Sequence, residues 1–106
     1  MSNEKELEKE IQEKGLNARR ITPAHIDNVI ADVDYYVFPK TQLTVCCVTL
    51  QNGFTVTGES ACASPENFNK EIGEKIAYEN ARNKIWALEG YLLKQNLNGA
   101  KAKGDN

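Results

Sequence analysis

Two groups of cations in the sequence have the residue types and the spacing to bind a phosphate group. Arg82 lies between Asn80 and Asn83 in a segment with helical periodicity, so a rigid backbone would aim its side chain. Arg19 and Arg20 are adjacent in a stretch typical of a linker. A guanidinium group matches phosphate oxygens through two parallel hydrogen bonds. The alternatives are a solvated surface pair in the linker and a solvated turn of helix around Arg82.

Aromatic and polar side chains elsewhere could recognise the other parts of a nucleotide. Phe54, Phe68 and Trp86 offer rings for a base, and such stacking contributes about 1–3 kcal/mol per base. Ser60 and Glu59 precede a predicted helix start and could bind sugar hydroxyls. The alternatives are a core or interface position for Phe68 and Trp86. Glu59 would repel a phosphate, so it could instead pair with an arginine.

The elements that must position these side chains begin with a hairpin. The pair Asn52-Gly53 separates two β-prone runs, residues 43–50 and 54–58. Both central positions of a two-residue hairpin turn need positive φ, which Asn and Gly tolerate. A two-residue loop would pair Thr49 with Val56 and place both on one face. The first run is apolar on both faces, so we expect a central strand that is covered on both sides.

A long helix is predicted from Pro65 to about Leu97, with Ser64 as its N-cap. One apolar stripe contains Phe68, Ile72 and Ile76. A second stripe, on the opposite side, contains Ala81, Ile85, Leu88 and Leu92. The C-terminal half is apolar on two sides, because three further residues return to the line of the first stripe: Trp86, Leu93 and Leu97. Either the helix breaks near Gly73 or Glu79, or a second chain covers its second side. We favour the second chain, because so small a domain has too little core for both sides. We therefore expect a homo-oligomer with an interface around Trp86, Leu93 and Leu97.

Two shorter helices and one strand complete the predicted fold. Residues 2–14 form a charged helix that Gly15 can end, and residues 23–32 form an amphipathic helix. Residues 35–38 are β-prone and lead through Pro39 into a second hairpin. The fold class is therefore α+β. A small antiparallel sheet of about three strands is backed by a long C-terminal helix and one or two N-terminal helices.

Length and charge restrict the classes of function. The chain has 106 residues and a net charge of −2, which argues against binding of duplex nucleic acid through its phosphates. No apolar run approaches the length of a membrane span, and the N-terminus does not resemble a signal peptide, so we expect a cytoplasmic protein without a membrane partner. We divide the chain into a charged N-terminal helix or flexible arm at 1–17, a single α+β domain at 18–97 and a disordered tail at 98–106.

The three cysteines do not have metal-ligand spacing. Cys46 and Cys47 are adjacent in a strand and point to opposite faces, and Cys62 precedes the long helix. Cysteines of this kind are usually small buried hydrophobes. The single His25 lies in a separate segment, so we expect neither zinc nor a Cys–His nucleophile pair.

A hydrolase without a metal would need an acid–base pair. Glu59 with Glu66 or Glu71 is the sole candidate, and no catalytic motif surrounds it. We therefore expect no catalytic residue, no metal and no cofactor.

Four segments together resemble a family of small tailed-phage proteins designated by gene-product numbers: residues 18–23, 52–68, 71–73 and 83–93. The run Gly-Phe-Thr-Val-Thr-Gly-Glu-Ser at 53–60 is specific to that family, and the resemblance covers about residues 18–97. It extends to the first type of Thoeris anti-defence protein. That resemblance implies an oligomeric sponge, which binds a cyclic ADP-ribose signal of bacterial TIR-domain defence without degrading it. It also implies cyclic oligonucleotides as further ligands.

The resemblance does not assign ligand residues, so the expected ligand-binding set is the one inferred above from residue chemistry. It comprises Arg82, Asn80, Asn83, Phe54, Phe68, Glu59, Ser60, Arg19 and Arg20. The alternative function is an oligomeric adaptor or inhibitor that binds a host protein through the long helix. A signal-degrading enzyme is the third class.

Overall fold

The computed structural model describes residues 3–16 and 18–104 and contains a three-stranded antiparallel sheet with three helices. In chain order the elements are α1 (Glu4–Glu13), α2 (Pro23–Val29), β1 (Ile30–Val37), β2 (Leu43–Leu50), β3 (Thr55–Ala61) and α3 (Lys70–Gly104). The predicted α+β class is confirmed, including the long C-terminal helix and the helices near the N-terminus.

The sheet has the order β1-β2-β3, so β2 is the central strand as predicted. The predicted register of the β2–β3 hairpin is wrong by one residue, because Val48, and not Thr49, pairs with Val56. The loop includes Gln51 as well as the Asn-Gly pair, and Gly53 has a φ of 89°. A loop of this length with a left-handed glycine is the next most common hairpin connection after the two-residue turn. The slip moves every β3 side chain to the other face.

The boundary between α2 and β1 also differs from the prediction. Thr22 caps α2 as expected, since its hydroxyl accepts from the His25 amide at 3.1 Å. The helix nevertheless ends at Val29, and Ile30 already pairs with Leu50. Residues 30–32 fit a helical stripe by periodicity, but pairing with a central strand outweighs local helix preference there.

α3 begins later and ends later than predicted. Ser64 does not cap it: the Ser64 hydroxyl donates to the Glu66 carboxylate, and residues 65–67 form a 3₁₀ turn. The side chain of Asn69 accepts from the Ile72 amide at 3.0 Å and so occupies the capping role. The helix then continues without a break for 35 residues to Gly104. It is about 52 Å long, roughly twice the length of β2.

The core lies between α3 and one face of the sheet. Its buried apolar members are Ile26, Cys46, Val48, Leu50, Val56, Ala77, Ala81 and Ile85. Gly58 permits this packing, because a Cβ at that position would lie 2.2 Å from the Ala77 carbonyl oxygen and 2.3 Å from the Ala81 amide nitrogen. The helix therefore lies on β3 at backbone distance, a contact that only glycine allows.

The second face of β2 is more open than expected. In the described part of the chain the buried positions alternate with half-exposed Leu43, Val45, Cys47 and Thr49. The helices of this chain cover one face of the sheet, so the prediction of a strand covered on both sides is wrong for the single chain.

The cysteines partly match the prediction. Cys46 is fully buried under α3, and this burial raises the pKa of its thiol to about 11. Cys47 and Cys62 are half-buried, and all three thiols are free. Within the described residues, no helix combines the length and the apolar character that crossing a membrane requires.

Candidate functional site

A cleft lies between α1, the linker after α1 and the middle of α3. It has a volume of about 560 Å³, within the range of about 300–1,000 Å³ found for ligand pockets. Its lining combines two arginines, three carboxylates, two amides and one indole with apolar side chains: Asn3, Glu4, Leu7, Glu8, Ile11, Arg20, Ile21, Pro23, Glu79, Arg82, Asn83 and Trp86.

Arg82 lies at the inner end of the cleft and is 8% exposed. Its Nε and Nη2 atoms donate to the Glu4 carboxylate at 2.8 and 2.9 Å, a bidentate arrangement. Nη1 donates to the Tyr78 hydroxyl at 3.0 Å and pairs with Asp27 at 2.9 Å. Nη2 also donates to the Pro23 carbonyl at 3.2 Å. All five guanidinium N–H groups therefore have an acceptor.

The charge around Arg82 is balanced by two carboxylates from different elements. Hydrogen bonding to Glu4 is the largest cause that raises the pKa of Arg82 above its ordinary value. The Asp27 side chain is 67% exposed, whereas the Glu4 side chain is 20% exposed. The contact with Glu4 is thus the better shielded of the two, and it connects α1 to α3.

Arg20 forms a second bidentate pair at the outer end of the cleft. Its Nη2 donates to Glu8 Oε2 at 2.7 Å, and its Nη1 donates to the other oxygen of the same carboxylate. Gln12 also donates to Glu8, at 2.6 Å. These hydrogen bonds, with that from Arg20 the largest cause, lower the pKa of Glu8 to about 2.

One stripe of α1 faces the cleft. Glu4, Leu7, Glu8 and Ile11 recur with the spacing of a single helix face, and all four line the cleft. However, no residue of α1 is buried, and Leu7 is 54% exposed. Charge-assisted hydrogen bonds to arginines, rather than buried apolar area, therefore hold α1 against the domain.

Trp86 is the aromatic side chain of the cleft. It is half-buried, packs against the core and donates from Nε1 to the Glu4 carboxylate at 2.9 Å. Glu4 thus accepts from Arg82 and Trp86 together. Trp86 also shows that the side of α3 predicted to form an oligomer interface faces the chain's own N-terminal helix at this point.

The cleft contains three of the predicted ligand residues: Arg20, Arg82 and Asn83. Arg19 lines a smaller recess next to it, which Arg20 also borders. In that recess His25 Nε2 lies 2.7 Å from Glu89 Oε1.

The other predicted residues lie away from the cleft in separate places. The side chain of Asn80 donates to the Glu59 carbonyl at 2.8 Å, at the junction of α3 and β3. Ser60 and Phe68 line a small recess before α3. Phe54 is 56% exposed beside the C-terminal half of α3. The nine predicted residues are therefore distributed over several places in this chain rather than gathered in one cleft.

Residue chemistry alone missed the carboxylates that face the arginines. Glu4 and Asp27 lie 78 and 55 positions before Arg82, so no local pattern connects them. A signal was nevertheless present for α1. Glu4 and Glu8 share the face of Leu7 and Ile11, which marks them as the inward side of an otherwise charged helix.

The cleft combines groups that could bind an anion with a planar ring, and glutamates of α1 occupy both of its arginines. Guanidinium groups bind phosphate oxygens, the indole offers a stacking surface, and the Asn83 amide can bond to hydroxyl groups. The described residues contain no group of three or more His, Cys, Asp or Glu side chains placed to hold a metal ion.

Comparison with known proteins gives one match. Residues 21–97 match a family of phage proteins. No curated protein and no solved structure gives a significant match. The matched region extends from the end of the linker to the C-terminal half of α3, so it includes the sheet, α2 and the Arg82 turn, but not α1. The chain therefore belongs to the phage protein (N4 Gp49/phage Sf6 gene 66) family.

Proposed function

We propose that this chain is a phage anti-defence protein of the Thoeris type that acts in the host cytoplasm. It binds a cyclic ADP-ribose immune signal and sequesters it without degrading it, and cyclic oligonucleotides are further ligands. One observation carries the proposal: Arg20, Arg82 and Trp86 line a single cleft of about 560 Å³. The chain belongs to a phage protein family, and an anti-defence protein of this type would be encoded by a phage.

The chemistry of the cleft fits such a ligand. Cyclic ADP-ribose compounds carry two phosphates, and burying these without cations would cost several kcal/mol or more. Two guanidinium groups supply the charge, and stacking on Trp86 would contribute about 1–3 kcal/mol. A sponge must hold its ligand below the signalling concentration, which requires nanomolar affinity, about −12 kcal/mol.

The decisive experiment separates binding from turnover. The purified protein is incubated with cyclic ADP-ribose, separated from free ligand and denatured, and the released material is analysed by mass spectrometry. We expect intact ligand in stoichiometric amount. Altered ligand would identify an enzyme, and the absence of bound ligand at micromolar protein would overturn the proposal.

Arg20 and Arg19 provide a matched pair of variants for locating the site. Arg20 lines the cleft and Arg19 only the adjoining recess, and both belong to the same linker. Arg20→Ala should weaken binding of cyclic ADP-ribose at least about tenfold, about 1.4 kcal/mol. Arg19→Ala should leave the affinity nearly unchanged. Equal losses in calorimetric titration would place the ligand in the recess instead.

The same protein is proposed to be a homo-oligomer through the C-terminal half of α3. Leu88, Tyr91 and Leu92 recur at helical spacing there and are 41%, 73% and 49% exposed. Phe54 extends this apolar surface onto the hairpin. Leu93, together with Leu92, lines the recess around His25 in the same chain. The expected interface therefore shifts from the predicted Trp86 and Leu93 to the Leu88 and Tyr91 side.

Tyr91→Glu tests the oligomer, with Ala63→Glu as a control that adds the same charge at an exposed position before α3. Light scattering should give at least a dimer for the unmodified protein and the control, and a monomer for Tyr91→Glu. A monomer at tens of micromolar for the unmodified protein would refute this part of the proposal.

The exposed helix surface also favours a second candidate function, an adaptor or inhibitor that binds a host protein. This second function predicts that the unmodified protein binds no cyclic ADP-ribose. It also predicts that Tyr91→Glu, but not Arg20→Ala, abolishes its effect on host defence.

A further inference from the structure

The two arginines of the cleft are already occupied by carboxylates of the same helix. Glu4 takes two donors of Arg82, and Glu8 takes two donors of Arg20. These glutamates are four positions apart, so they project from one face of α1. Carboxylate and phosphate oxygens engage a guanidinium through the same bidentate geometry. The glutamates therefore stand where the oxygens of a phosphate ligand would bind.

We propose that α1 is a displaceable acidic cover, which a ligand with two phosphate groups and a planar ring removes by replacing Glu4 on Arg82 and Glu8 on Arg20. This inference rests on the proposed function, because it concerns how a ligand enters the same cleft. Trp86 loses its hydrogen bond to Glu4 in the exchange and offers its ring to the ligand. We call α1 with these two glutamates the acidic cover.

The other hydrogen bonds of Arg82 would keep its side chain in place while a ligand replaces Glu4. Asp27, Tyr78 and the Pro23 carbonyl bind the guanidinium from outside α1. When Glu4 leaves, these partners continue to fix the side chain. Nε and one edge of Nη2 then remain directed into the cleft, so the anion site is preorganised and only its occupant changes.

The cover itself has the properties of a weakly held element. A helix of 10 residues is marginally stable alone in water. None of its residues is buried, and its Ile11 is only half-buried. Its attachment depends on ion pairs, which salt screens and a competing anion replaces. The family match begins at residue 21, beyond the cover, so the matched domain supplies Arg82 and Trp86 without it.

A mutation in a binding site usually weakens ligand binding, whereas the acidic cover predicts that two such mutations strengthen it. If the cover competes with the ligand, the apparent dissociation constant equals the intrinsic constant divided by the fraction of protein in which the cleft is open. Removing the charge of Glu4 or Glu8 should then tighten ligand binding. If these glutamates only support the site, removing their charge should weaken binding or leave it unchanged.

Calorimetric titration of full-length protein with cyclic ADP-ribose provides the test. Glu4→Gln, Glu8→Gln and the double variant are compared with Glu13→Gln, which removes the same charge from an exposed position of α1. We expect about tenfold tighter binding for each single variant, a larger gain for the double variant and no change for Glu13→Gln. Circular dichroism confirms that each variant retains its fold.

Hydrogen exchange supplies an independent readout on the same samples. Amides of residues 7–13 should lose protection when the ligand binds, and also in 1 M KCl without ligand, while amides around Ile85 stay protected. The unmodified protein could bind the ligand while Glu4→Gln and Glu8→Gln bind it no more tightly and α1 stays protected. That result would overturn the cover and leave the proposed function intact. If no variant binds the ligand, the proposed function and the cover are both wrong.

Discussion

On its sheet side, α3 packs through Ala77, Ala81 and Ile85, all fully buried, and touches β3 at backbone distance over Gly58. On its other side, Arg82 and Trp86 meet the carboxylate of Glu4 inside an open cleft. The first contact depends on shape, which tolerates no exchange of partner. The second depends on charge, which another anion of suitable geometry can satisfy. One helix thus combines a fixed side that holds the fold with an exchangeable side that can bind a ligand.

The sheet side should be the easier one to break. Gly58→Ala places a methyl group against the backbone of α3, which a side-chain rotation cannot relieve. We expect a loss of about 4 kcal/mol in the free energy of unfolding, at the upper end for overpacking. Urea denaturation measures it. The matched control is Gly90→Ala in α3, where an added Cβ meets nothing within 4 Å. It should stabilise the protein by about 0.5–1 kcal/mol. Equal effects of the two changes would contradict the close approach.

The charged side should respond less to an equally drastic change. Arg82→Ala removes the guanidinium that binds Glu4 and Asp27, but Asp27 is mostly exposed and α1 can move into solvent. We expect a loss of about 2 kcal/mol in the free energy of unfolding, together with weaker binding of cyclic ADP-ribose.

The matched control for Arg82→Ala is Lys84→Ala, which removes an exposed cation two positions away that donates to the Thr57 carbonyl. It should change the free energy of unfolding by less than about 0.5 kcal/mol. A loss for Arg82→Ala as large as that for Gly58→Ala would mean that the charged side is structural rather than exchangeable.

Thr44 tests whether the sheet side of α3 is stabilised by apolar packing alone. It is fully buried under α3 beside Gly73, and its hydroxyl has no hydrogen-bond partner among the described residues. Thr44→Val keeps the shape and removes this unsatisfied group, so we expect a gain of about 1 kcal/mol in the free energy of unfolding. Thr49→Val, on the half-exposed face of the same strand, should have little effect. A destabilised Thr44→Val variant would show that the hydroxyl is satisfied in solution.

Acid should detach the cover before it affects the core. The pKa of Glu8 is lowered from 4.5 to about 2 by hydrogen bonds from Arg20 and, within α1, from Gln12. A lowered carboxyl pKa stabilises the docked state fully above pH 4.5, and that contribution disappears as the pH falls through about 2. The fluorescence of Trp86, the only tryptophan, should change over this interval while the far-ultraviolet signal of the sheet persists. In Glu8→Gln the change should be smaller. A transition complete above pH 5 would contradict the assignment to Glu8.

Much of the fold was predictable because its signals are local. The Asn-Gly pair located the hairpin, Thr22 and Pro23 located the start of α2, and helical periodicity identified α3. The hairpin register was not predictable, because Gln51 joins the loop and the choice between loop lengths depends on how Val56 and Gly58 meet α3. The start of β1 at Ile30 likewise depends on pairing with Leu50, which a helical stripe cannot reveal.

The sequence by itself determined the α+β class, the cations suited to an anion and the two apolar sides of α3, since residue type and spacing carry these directly. The tertiary structure alone decided that Arg82 and Arg20 share one cleft, that Phe54, Phe68 and Ser60 lie outside it, and that Glu4 and Glu8 occupy the arginines. The physical reason is distance along the chain. Ion pairs between residues as far apart as Glu4 and Arg82 leave no periodic trace in sequence and form only when packing brings the elements together.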